Sequence, residues 1–173
     1  MRTTVYLCLA ILFGCVSIND TIESEAPLLI VTGFPVAAER TDYFLDDCCE
    51  NCLCHGLDVL SLSISKVETI HGSNQNRELQ VAMLDGFTWT DRRDTGRHLF
   101  VLRRLTGDIS EKGKLRYTVV EGDPVDAGQA CTSQRLEDYV SGEADFFSYG
   151  AWEEAGEHCY SIKDLERHLA GDT

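Results

Sequence analysis

The stretch "LDVLSLSISKVETI", from Leu57 to Ile70, puts Leu60, Leu62 and Ile64 on one side of an extended chain and Val59, Ser61 and Ser63 on the other. A period of two is the spacing of a strand with one buried face. Beyond Ile64 the apolar residues move to Val67 and Ile70, out of phase, which predicts a bulge or sharp bend. The turn formers of "GSNQN" follow, and "ELQVAML" then alternates Leu79, Val81 and Met83 inward. "HLFVLRR" is nearly continuous in apolar residues from Leu99 to Leu102, as in a strand near a sheet centre. "KLRYTVVEG" sets Leu115, Tyr117 and Val119 on one face. Four strands joined by short polar turns, with no helix between them, predict an antiparallel meander.

Helical patterns come only afterwards. In "TSQRLEDYV", Thr132 or Ser133 is a candidate N-cap, and Leu136, Tyr139 and Val140 follow at helical spacing. "SIKDLERHL" opens with the capping-box-like pair Ser161 and Asp164 and aligns Ile162, Leu165 and Leu169. Both segments are short and need a sheet to pack against. Residues 18–47 mix acids with one apolar run, "PLLIVTGF", and read as a spacer or edge strand.

The chain opens with "MRTTVYLCLAILFGCVS", one charge followed by a short apolar run and small residues, the pattern of a signal peptide. That run falls short of the roughly 20 apolar residues of a bilayer-spanning helix, and no later segment reaches that length. "LFGC" resembles a bacterial lipoprotein processing site, which implies cutting after residue 14 and lipid on Cys15. The alternative is cutting after Ser17, giving a signal peptide of residues 1–17 and a soluble product. "NDT" at Asn19 to Thr21 is also a glycosylation sequon if the source is eukaryotic. Residues 48–173 then form one β domain with a C-terminal helical segment, since the mature length suits a single core.

Either cleavage removes Cys8 and leaves Cys48, Cys49, Cys52, Cys54, Cys131 and Cys159 as structural thiols. An even number in an exported chain favours disulfides. Zinc needs a second Cys-x-x-Cys pair, and Cys131 and Cys159 are separated singletons. A redox Cys-x-x-Cys belongs at a helix start, whereas "CENC" leads into a strand. Haem attachment needs Cys-x-x-Cys-His, and Cys49, Cys54 and His55 have the wrong spacing. Six cysteines allow 15 pairings; the simplest gives Cys131 and Cys159 one thiol each from the cluster at 48–54. No metal or other cofactor is expected.

The formal charge of −14 argues against a nucleic-acid partner. From Asp91 to Arg116, however, eight basic residues face four acids. The signatures G-x-S-x-G and H-E-x-x-H and the glycine-rich phosphate loop are all missing, so catalytic residues are assigned nowhere.

"CLC" at Cys52 to Cys54, followed by the strands above and "RYTVVEGDPV", resembles netrin-like domains and tissue inhibitors of metalloproteinases. The resemblance implies an OB-like antiparallel β-barrel, disulfide-stabilised, with one or two short C-terminal helices. Those inhibitors use the first Cys of Cys-x-Cys as the mature N-terminus, and here Cys52 lies more than thirty residues beyond either signal cleavage site. The resemblance therefore carries the fold further than the inhibition. The expected function is that of an exported, secreted or lipid-anchored, non-enzymatic binding module for a protein or glycan. A metalloprotease-inhibitor-like protein and an enzyme of unassigned chemistry are the alternatives. OB barrels bind on an exposed sheet face, which makes Phe87, Trp89, Phe100, Arg92 and Arg93 the expected binding patch.

Overall fold

The structure is a computed structural model that describes residues 28–46, 56–84, 96–105, 114–144, 156 and 158–169. The described part is mainly β, with two short helices at the C-terminal end. The strands are β1 (Leu28–Asp46), β2 (Gly56–His71), β3 (Glu78–Leu84), β4 (His98–Arg104), β5 (Tyr117–Pro124), β6 (Gln129–Thr132) and β7 (His158–Ser161). Helix α1 spans Leu136–Ser141 between β6 and β7, and helix α2 spans Ile162–Leu169.

The first five strands form one rolled sheet in the order β1-β2-β3-β5-β4, with β4 pairing back onto β1. All neighbours are antiparallel except β3 and β5, which meet in parallel at the single pair Ala82 and Thr118. The sheet is therefore not a clean barrel. Nor is it a meander: β4 leaves β3 and lies between β1 and β5.

Three buried clusters explain the apolar pattern, the smallest joining Val59, Ala82, Leu105 and Leu115. Leu60, Leu62, Ile64, Val81 and Met83 point to the inner face, where they meet Leu29, Val31, Phe100, Leu102 and Val119. Ile30, Leu99 and Val101 point outward and are covered by Leu136 and Tyr139 of α1 and Leu165 of α2. Strands β1 and β4 are thus apolar in consecutive residues because both their faces are buried. Of the segment read as spacer or edge strand, Leu28–Asp46 forms β1, the longest strand among the described residues. It pairs with β2 over most of its length and with β4 from Leu28 to Gly33.

The break in phase after Ile64 is a bulge. Phe34 pairs with Ser65 and Thr32 with Glu68, so β2 carries an extra residue there. Lys66 adopts φ 51°, and its ammonium lies 5.1 Å from the centre of the Phe34 ring. Gly33 sits against this bend. A Cβ added to it meets Ile64 Cγ2 at 2.5 Å and the Ser65 carbonyl oxygen at 3.1 Å.

The C-terminal segments form a separate unit on the outer face. Strands β6 and β7 pair antiparallel, with Cys131 directly opposite Cys159. Their Cα atoms are 4.0 Å apart and the two residues form a disulfide. This corrects the expectation that each takes a thiol from the cluster at 48–54: direct opposition in a two-stranded ladder leaves neither free for a distant partner. The four clustered cysteines, Cys48, Cys49, Cys52 and Cys54, lie outside the described residues, as does Cys15.

Helix α1 also begins differently from its sequence signal. The N-cap position is Arg135, which makes no side-chain cap bond. Thr132 belongs to β6, and its hydroxyl donates to the Gln134 carbonyl at 2.6 Å. Capping comes from elsewhere in the fold. The Leu136 N–H donates to the Tyr160 hydroxyl oxygen at 3.0 Å, and that hydroxyl donates to Glu137 Oε2 at 2.9 Å. The helix ends at Gly142, whose φ of 81° is the left-handed conformation that glycine adopts without strain.

Two stability predictions follow from these contacts. Replacing Cys131 and Cys159 by Ser opens a loop spanning a separation of 28 residues. The chain-entropy model sets the loss at ~3.5 kcal/mol, to be read from denaturant midpoints. Gly33→Ala is expected to cost ~2 kcal/mol, as for other overpacked core positions, and to lower the thermal midpoint in a calorimetric scan.

Candidate functional site

On the outer face of β2 and β3, Val59 and Ala82 are buried with Leu105 and Leu115, whereas the end at Ser63 and Ser65 is polar. Inner-facing Leu62 and Ile64 force Ser63 and Ser65 outward, and the ladder sets Ser63 beside Gln80 and Ser65 beside Glu78. Beside this row lies a cleft of about 1070 Å³. Its walls include the turn between β2 and β3 and the approach to β5, with Asn74, Asn76, Arg116 and Tyr117.

The turn is held by its own side chains. Asn74 Nδ2 donates to the Asn76 carbonyl at 2.8 Å, and the Asn76 N–H donates to Asn74 Oδ1 at 3.1 Å. Thr69 Oγ1 donates to the Asn74 carbonyl at 3.3 Å, and the Val67 N–H closes the loop onto the Arg77 carbonyl at 3.0 Å. These bonds tie the wall to the bulged end of β2. The rest of the lining is rich in neutral hydroxyl and amide groups.

Charge is sparse in the cleft and of mixed sign. Among the described residues Glu78 supplies the one carboxylate, and Lys114 and Arg116 bring two cations on the residues leading into β5. No histidine or cysteine lines it among the described residues. The described residues also gather no group of three His, Cys, Asp or Glu able to hold a metal ion. The arrangement suits hydrogen bonding to a polar ligand, with an aromatic ring, Tyr117, at one side.

Of the expected binding patch, only Phe100 falls among the described residues. Phe87, Trp89, Arg92 and Arg93 lie outside the described residues. Phe100 is fully buried in the inner core, with its ring 5.9 Å from that of His98. It is removed from the patch because it points inward beside Leu102 and Met83. The cleft residues had a signal of a different kind. Ser63 was legible as the polar face of β2, and Lys114 and Arg116 as part of a basic stretch, but nothing local places that stretch beside β2.

Among the described residues no helix is long and apolar enough to cross a membrane. Comparison with protein-family models, curated proteins and solved structures returns no match.

Phe100→Ala separates core from surface. It is expected to cost about 3–5 kcal/mol of folding stability, as for other buried aromatics, without altering the affinity of the folded protein for a cleft ligand. Denaturant titration and ligand titration on the same preparation check the two halves.

Proposed function

We propose that the chain is an exported, disulfide-bonded binding module that takes a glycan in the cleft beside β2 and β3. The reading treats the rolled sheet as an incomplete OB-like barrel. The strand order β1-β2-β3-β5-β4 and the return of β4 to β1 support it. Such barrels bind oligosaccharides and oligonucleotides on the face of strands 2 and 3, flanked by loops that include the one between strands 4 and 5. The net charge of −14 disfavours the nucleic-acid half of that choice.

The observation that carries the proposal is the lining itself. Ser63, Ser65, Gln80 and the asparagines of the turn offer donors and acceptors at close spacing, and Tyr117 lines the cleft beside them. Sugar hydroxyls both donate and accept, so neutral amides and hydroxyls satisfy them without burying charge. Export rests on the signal-like residues 1–17, and the Cys131–Cys159 disulfide suits an oxidising compartment. Lipid on Cys15 is part of the same proposal as the alternative to a freely secreted product.

A glycan array with the full chain, followed by titration calorimetry on the best binder, is the test. Ser63→Trp fills the cleft and is expected to weaken binding at least tenfold while leaving the thermal midpoint unchanged. Arg92→Glu combined with Arg93→Glu probes the patch read from the sequence in the same assay. Loss with that pair and none with Ser63→Trp would move the site to the basic stretch. An array with no binder, together with capture of a protein ligand sensitive to Ser63→Trp, would replace the glycan by a protein surface.

A further inference from the structure

The outer face of β5 carries two carboxyl groups beneath the C-terminal unit. Val101 pairs with Glu121 and Leu102 with Val119, so Val120 is an extra residue that breaks the alternation. Val119 stays inward and Glu121 is turned outward, where it is 2 % exposed. Glu121 Oε2 accepts the Tyr139 hydroxyl at 2.7 Å, and Oε1 accepts the N–H of Ser133. Asp123 follows two residues later, opposite Leu99. Its Oδ2 is buried without a hydrogen-bond partner among the described residues.

Other ionisable groups among the described residues have partners of their own. From β4, Arg103 Nη2 donates to the Tyr139 carbonyl at 3.5 Å. His98 lies on the side of Phe100, with Nδ1 at 3.0 Å from the Gly96 carbonyl oxygen. From α1, Glu137 is engaged by His168 of α2 and Tyr160 of β7. Burial first, and then the negative Glu121, push the Asp123 carboxyl up to about 8. The same two causes raise the Tyr139 phenol.

We propose that Glu121, Asp123 and Tyr139 form a pH-operated latch, which holds the C-terminal unit on the sheet while Asp123 keeps its proton and releases it when Asp123 ionises. Protonated, Asp123 places no charge beside Glu121, and the Glu121 to Tyr139 bond closes the unit down. When the proton leaves to solvent, two carboxylates share one largely buried face. Opening then relieves the repulsion by hydrating both.

The sign follows from the direction of the shift. Asp123 binds its proton more tightly in the closed form than at its ordinary value of 3.8. The stabilisation is therefore complete below that value and is lost as pH rises through about 8. Between the two, each pH unit raises the opening equilibrium up to ~tenfold. Opening uncovers Ile30, Leu99 and Val101, while the Cys131–Cys159 disulfide keeps β6 and β7 together as one moving piece.

Amide hydrogen exchange on the full chain from pH 5 to 9, corrected for intrinsic rates, reads the latch directly. Peptides covering α1 and α2 are expected to open progressively more up to about pH 8, as Asp123 ionises, while β2 and β3 stay flat. Asp123→Asn is expected to abolish the slope and keep α1 protected throughout. An equal slope in Asp123→Asn, or β2 and β3 opening in step with α1, would overturn the proposal. Infrared spectroscopy of the wild-type chain covers the case in which that variant fails to fold. A carboxylic-acid stretch that persists at pH 6–7 supports the latch, and complete titration of all carboxyl bands below pH 5 overturns it.

Discussion

An extra residue at Val120 decides which way the acids of β5 point. With strict alternation, Glu121 would follow Tyr117 and Val119 onto the inner face, among Phe100, Leu102 and Met83. A carboxylate in that apolar interior costs several kcal/mol without partners, on the order of 2–7 even for a neutral polar group. The bulge sends it outward to Tyr139 and Ser133. Because those partners belong to α1 and the turn before it, satisfying Glu121 also seats the C-terminal unit. That seating buries the outer side of β4, and the six consecutive buried residues from His98 to Arg103 follow.

The inner core was legible because it obeys a local rule. Leu60, Leu62, Ile64, Leu79, Val81 and Met83 keep a period of two, and the loss of phase at Val67 marked the bulge at Lys66. The unbroken run Leu28 to Val31 carried the same kind of signal as β4, burial on both faces, yet its acidic surroundings suggested a spacer. What escaped depends on pairing between remote segments. Cys131 meets Cys159 only because two four-residue strands pair across 28 positions. The start of α1 is capped by a tyrosine hydroxyl from β7, which makes the nearby Thr132 and Ser133 misleading.

The candidate site shows the same division. Its floor, Ser63 and Ser65, is the complement of an alternation that was plain in the sequence. Its wall is Arg116 and Tyr117, brought near by the crossing that lays β5 beside β3 rather than β4 beside β3. That crossing is a property of sheet closure, and the single pair Ala82 and Thr118 is where it is made. Local patterning fixes what a strand presents, whereas closure fixes what stands opposite it.

The two polar regions of the sheet are kept apart by the same crossing. The C-terminal unit covers the outer side of β4 and β5 and reaches Ile70 of β2, and the cleft lies at the Ser63–Ser65 end of β2 and β3. Polar groups in the cleft are hydrated and change little in energy when a ligand replaces water. Glu121 is buried and Asp123 largely so, and a change of protonation at Asp123 therefore acts on the packing above it with little solvent to absorb it. A neutral residue at position 123 would seat α1 at every pH, since the Asp123 carboxylate lacks a full set of partners while Glu121 keeps its own. Retaining two acids on one largely buried face makes the attachment conditional, and the condition is set by solution pH rather than by the ligand in the cleft.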